Sequence, residues 1–144
     1  MRANELMTGD WVRLQYNHFI TEELVTKDFQ VTEIRDGGET NYIWGKDGNM
    51  GMVEHIQPIP LTVEILEKNG FVSKKGFMQK GNFGDGPLII WHTEDNKILR
   101  HFTHELEISD LSSDKGYRIR FICNYVHELQ HALRLCGIDK EIVL

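Results

Sequence analysis

The residues with the greatest capacity for chemistry are His127-Glu128-Leu129-Gln130-His131. Two histidines four positions apart share one helix face. That spacing lets both imidazoles reach one zinc ion while the intervening glutamate stands as general base. The chemistry would be zinc-dependent hydrolysis, with His127 and His131 as metal ligands and Glu128 as the catalytic base. A catalytic zinc also takes a third protein ligand and keeps one position open. The extended form of the pattern would have glycine at 134 and histidine at 137, where this chain has Arg134 and Gly137. Downstream candidates are Asp139 and Glu141, and upstream ones are His92, His101 and His104. Without the surrounding pattern, the reading is that His127, Glu128, His131 and Arg134 form the solvated face of an amphipathic helix. Its opposite, apolar face is Val126, Leu129, Ala132, Leu133 and Cys136. No zinc, no other cofactor and no enzymatic activity are expected.

Four further groups bear on binding. Trp11, Tyr42 and Trp44, with Trp91, are of the type that lines an aromatic peptide-binding surface, and equally of the type that fills a small β core. Lys74, Lys75 and Lys80 beside Phe77 and Phe83 resemble a basic-aromatic nucleic-acid surface. The formal net charge of −6 repels phosphate backbones, so this cluster reads as a solvated loop and nucleic acid is disfavoured as a partner. Asp47-Gly48-Asn49 begins like a calcium loop but lacks its later ligands. Cys123 precedes His127 by four positions and reads as a core thiol. Cys123 and Cys136 lie on one predicted helix about 20 Å apart, too far to bridge.

These groups need elements to hold them. At 144 residues, 40% hydrophobic and 26% charged, the chain suits one ordinary domain or two very small ones. No run of apolar residues is long enough for a membrane span, and residues 1–10 lack the apolar core of a signal peptide, so a cytoplasmic protein is expected. The fold class expected is α+β. Residues 1–60 read as an SH3-like β-barrel: a strand at Trp11–Leu14, a loop over 16–28 with Phe19 and Ile20 tucked in, and a strand at Phe29–Ile34. A turn at Asp36-Gly37-Gly38, a strand to Trp44, a turn at Asp47-Gly48-Asn49, a strand at Met50–Val53 and a proline-bearing edge complete it. Residues 61–144 read as a short linking helix capped by Thr62 and ended by Asn69-Gly70, then a β-meander closed by a C-terminal helix. In that meander Gly76–Gly86 is a loop, Pro87–His92 the central strand, and Ile98–Phe102, Glu105–Ile108 and Tyr117–Phe121 the others, with turns at Glu94–Asn96 and Ser109–Gly116. The helix starts near Ile122–Asn124 and ends at Gly137, and the tail from Asp139 adds an edge strand. The two halves are expected to share a core.

Three segments, Gly9-Asp-Trp-Val12, Pro58-Ile-Pro-Leu-Thr62 with Glu64-Ile-Leu-Glu-Lys-Asn-Gly-Phe71, and Tyr125-Val-His-Glu-Leu-Gln130, resemble a family of small bacterial and prophage-encoded proteins of unassigned function. The resemblance spans nearly the whole chain, and its middle segment is the most specific part. It implies a cytoplasmic protein of a bacterium or its mobile elements and supplies no activity. In that family the last segment reads Val-His-x-Leu-Gln, with the positions of Glu128 and His131 not fixed, so the shared feature there is a helix. The function expected is a non-enzymatic binding or accessory protein acting on another protein, not at a membrane. The alternatives are the zinc hydrolase and, third, a nucleic-acid-binding module.

Overall fold

The alternating residues of the first sixty positions assemble into one antiparallel sheet. The computed structural model describes residues 1–74, 88–92, 97–102, 105–110 and 118–144. The chain divides into two compact units, Met1–Ile59 and Pro60–Leu144. The protein is α+β, mostly strands, with two α-helices among the described residues.

In the first unit, β1 (Trp11–Asn17), β2 (Leu24–Asp36), β3 (Asn41–Gly45), β4 (Met50–Met52) and β5 (Ile56–Pro58) lie in the order β4-β3-β2-β1-β5. The edge strands β4 and β5 do not pair, so the sheet is open and the expected closed barrel is not seen. The long β2 serves two partners. Its first part pairs with β1, from Trp11↔Gln30 to Asn17↔Leu24, and its second with β3. The register shifts between Val31 and Glu33, an irregularity of the kind that bends a strand and lets one segment join two half-sheets. Inward-facing Val12, Leu14, Phe29, Val31, Ile43 and Ile56, with Leu6, form the core. The Gly9-Asp10 pair has a structural use. Gly9 adopts φ +90°, its N–H donates to Val31 O at 2.7 Å, and the fully buried Asp10 carboxylate accepts the Met7 N–H at 2.8 Å. Both glycine turns and the Pro58 edge fall where expected.

Residues 16–28 are a correction. They are not a loop: β1 runs to Asn17 and β2 begins at Leu24. The far end of this hairpin is wet, and residues 19–24 are all exposed, so no apolar period marks it. Backbone pairing holds it, together with a two-pronged ion pair between the directly opposed Arg13 and Asp28 at 2.7 and 2.8 Å. Phe19 and Ile20 are exposed and not tucked in. Residues 53–55 form a 3-10 turn, so β4 is one residue shorter than expected.

The second unit holds α1 (Val63–Lys68), β6 (Val72–Lys74), β7 (Leu88–His92), β8 (Lys97–Phe102), β9 (Glu105–Asp110), β10 (Arg118–Ile122) and α2 (Val126–Leu135). Its sheet is a meander in the order β10-β9-β8-β7-β6. The central strand is β8, not β7. A continuous apolar run reports burial on both faces, not position in the order. Leu99, Leu106 and Ile108 are fully buried, while Ile119 on the edge strand β10 is exposed despite its clean alternation. Opposed Glu107 and Arg120 form an ion pair at 3.2 Å. The loop expected at Gly76–Gly86 and the turn at 94–96 lie outside the described residues. Of the polar turn expected over Ser109–Gly116, Ser109 and Asp110 instead end β9, and the rest lies outside the described residues.

The Thr62 hydroxyl caps α1 as its residue type predicts, accepting the Ile65 N–H at 3.3 Å. The same hydroxyl holds the Glu64 carboxyl below its ordinary value. A lowered carboxyl contributes stability that is full above its unfolded pKa and is lost as pH falls through the folded one. Thr62→Ala is therefore expected to return the Glu64 titration, followed by NMR, towards 4.5. The tail is not an edge strand. Asn69 replaces one: its side-chain amide donates to Val143 O at 2.7 Å and accepts the Val143 N–H at 2.9 Å, as a strand backbone would. Lys68 also donates to Leu144 O.

Candidate functional site

The start of α2 is placed by the segment leading into α1. Leu61 N–H donates to Asn124 O at 2.8 Å, and Pro60 bridges to Tyr125. The helix begins at Val126, later than expected, because Glu128 caps it. One carboxylate oxygen of Glu128 accepts the N–H groups of Asn124 at 2.7 Å and Tyr125 at 3.1 Å. An acidic side chain three positions into a helix satisfies backbone donors that the helix cannot and complements its dipole. That is a sufficient structural reason for glutamate at 128, and it engages the group the hydrolase reading would use as a base.

His127 is a second correction. It is buried, at 6% exposure, and Gln130 is buried as well. At roughly 100° per residue, the buried positions 126, 127, 129, 130, 132 and 133 cover more than half of the helix circumference, wider than the apolar stripe alone. The His127 ring stacks on Tyr125 with centroids 5.9 Å apart and meets the His131 ring edge-on at 5.8 Å. The structure thus brings His127 and His131 together on one side of α2. Among the described residues no group of three or more His, Cys, Asp and Glu could hold a metal ion. His104, and the side chains of His92 and His101, lie outside the described residues. Purified protein is expected to carry no stoichiometric zinc by elemental analysis. About one zinc per chain, lost in His131→Ala, is the result that would restore the hydrolase reading.

Cys123 precedes α2 and is buried, and Cys136 is half-buried at its C-terminal end; neither is in a disulfide. Burial, and secondarily the charge of Glu128, push the Cys123 thiol up to about 12. Thiolate is the reactive form, so a thiol reagent at mildly alkaline pH is expected to modify Cys136 alone in the native protein and both cysteines after denaturation.

The aromatic residues resolve differently. Opposed residues on neighbouring strands point to the same face. The register pairs Arg35↔Tyr42↔Met52 and Glu33↔Trp44↔Met50, so six side chains form two adjacent rows on the outer face of β2, β3 and β4. Behind them Ile43 enters the core. The Arg35 guanidinium lies 5.0 Å from the Trp44 ring centroid and grips Glu33 with two hydrogen bonds of 2.6 and 2.8 Å. This fork raises the Arg35 pKa and lowers that of Glu33. Tyr42 lies against Gly37. Trp44 Nε1 is buried with no hydrogen-bond partner among the described residues. Met50 and Met52 are exposed beside the two rings. Trp11 stands across the irregularity in β2, on the outer side of the β1–β2 pair opposite Gln30. Tyr42 and Trp44 are therefore brought together and Trp11 belongs to a neighbouring surface.

Sequence reasoning missed the methionines. Their signal was the alternation Met50-Gly51-Met52, in which the glycine faces inward beneath Leu14. The side chain of Trp91, and Lys75, Lys80, Phe77 and Phe83 of the basic-aromatic cluster, lie outside the described residues. No helix among the described residues is long and apolar enough to cross a membrane. Comparison with family models, with curated proteins and with solved structures found no match.

Proposed function

We propose that this chain is a small non-enzymatic binding protein whose first unit holds a segment of another protein on the outer face of β2, β3 and β4. The observation that carries the reading is the pair of rows Arg35-Tyr42-Met52 and Glu33-Trp44-Met50 across three paired strands. Aromatic, methionine and arginine side chains are the types enriched where proteins meet, and methionine adapts to varied apolar partners. Reading the unit as an SH3-like module is supported by the return of β5 to pair with β1 and by the register shift in β2. Such modules use aromatic outer surfaces for extended peptides. We further propose the bacterial or prophage, cytoplasmic setting that the resemblance of the Gly9–Val12, Pro58–Phe71 and Tyr125–Gln130 segments implies.

The test is selection of ligands from a displayed peptide library against the full chain, repeated with Met52→Ser and Trp44→Ala. Enriched peptides that bind the wild-type protein and lose about tenfold or more with either variant support the reading, tenfold being the loss of roughly one good contact. An empty selection, or peptides that bind all three proteins equally, would sink it.

A further inference from the structure

The geometry points to a second, separate contact: the tip of the β1–β2 hairpin is a docking element that seats Phe19 and Ile20 on an apolar helix face flanked by basic side chains on a partner protein. The tip is built, not slack. His18 N–H donates to Glu23 O at 2.9 Å, and Glu22 N–H to His18 O at 2.8 Å. The Thr21 hydroxyl is 3.3 Å from His18 Nδ1, and the His18 and Phe19 rings lie 5.9 Å apart. Closing the loop places Glu22 at φ +56°, the left-handed conformation that non-glycine residues rarely adopt. The result presents Phe19 at 89% exposure, Ile20 at 70% and Leu24 at 60%. None of the three belongs to the core cluster of the unit, so core packing does not account for them. A cluster of large apolar side chains on a hydrogen-bonded loop with one left-handed residue is the form of a pre-organised contact.

Charge selects the occupant. Residues 1–59 contain ten Asp and Glu against five Lys and Arg, which places −5 of the total −6 on this unit. Glu22 and Glu23 lie in the tip itself. A second copy of the unit would bring like charge against like charge, and an anionic bilayer would repel it, whereas a basic flank is attracted at long range and paired on contact.

The experiment titrates isotope-labelled full chain with a synthetic lysine–leucine peptide that forms one apolar helical face, and with a scrambled peptide of the same composition. Vesicles of neutral and of anionic phosphatidyl lipids, and a sedimentation series of the protein alone, run in parallel. Expected are amide shifts confined to residues 18–24 with the amphipathic peptide only, weakening with salt. Binding should fall about tenfold or more in Phe19→Ser/Ile20→Ser and several-fold in Glu22→Gln/Glu23→Gln. Met52→Ser should bind the peptide as wild type does, which separates this contact from the β2–β3–β4 face. Absent binding, equal binding by Phe19→Ser/Ile20→Ser, vesicle binding, or dimerisation that this variant abolishes would each overturn the proposal.

Discussion

Gly45→Ala is expected to destabilise the first unit by about 1–3 kcal/mol, and Gly45→Val by more, read as a lower midpoint in urea with little change in slope. Gly45 ends β3, is buried, and faces inward against the Phe29 ring. A Cβ there would stand 2.3 to 3.0 Å from three ring carbons. The ring is itself buried and cannot turn away without opening the core. Two comparisons isolate the cause. At Gly51 the nearest obstacle is the Leu14 methyl, the far end of a flexible side chain, so Gly51→Ala should cost less. In Phe29→Leu, which leaves room beside position 45, adding Gly45→Ala should cost less than in the wild type, giving a non-additive double-mutant cycle. Equal costs at 45 and 51, or strict additivity with Phe29→Leu, would show that backbone entropy and not the ring decides.

Leu133→Ala is expected to cost about 2–5 kcal/mol and Leu135→Ala less than about 0.5 kcal/mol, although the two leucines lie two residues apart on one helix. Leu133 is fully buried with Val126, Leu129 and Ala132, while Leu135 is 76% exposed. Truncating the first removes buried methyl groups and leaves a cavity, and truncating the second moves surface already in water. Both substitutions keep good helix formers, so propensity does not separate them. Thermal unfolding of the two variants reads the difference directly. A similar loss for both would mean that the helix is held by a surface other than its Val126–Leu133 face.

The short-range features were legible because each is carried by residues close together in the chain. Thr62 caps α1, Asn69-Gly70 ends it, the two glycine turns close hairpins, and Phe29–Ile34 alternates into the core. In each case the physical cause is a local hydrogen bond, a backbone conformation or a period of two. The His127-Glu128-Leu129-Gln130-His131 lettering was equally visible and more ambiguous. Helical spacing puts the two histidines on one side, and the structure agrees, but spacing does not say what covers that side. Tertiary packing buries His127 and Gln130, and the helix start turns Glu128 into a cap. The misplaced loop at 16–28 has the matching cause: a hairpin whose far end is wet leaves no apolar pattern to read there.

What the sequence determined by itself is therefore the α+β class of the protein, most of its described strands, and the two described helices with the Thr62, Asn69-Gly70 and Gly137 end signals. The tertiary structure alone decided which side chains meet. Cross-strand register aligned Tyr42 and Trp44 with Met50 and Met52, and held Trp11 to a different strand pair. The closed turn of His18–Glu23 left Phe19 and Ile20 in water. Register and exposure depend on contacts between residues far apart in the chain, and no local period encodes them.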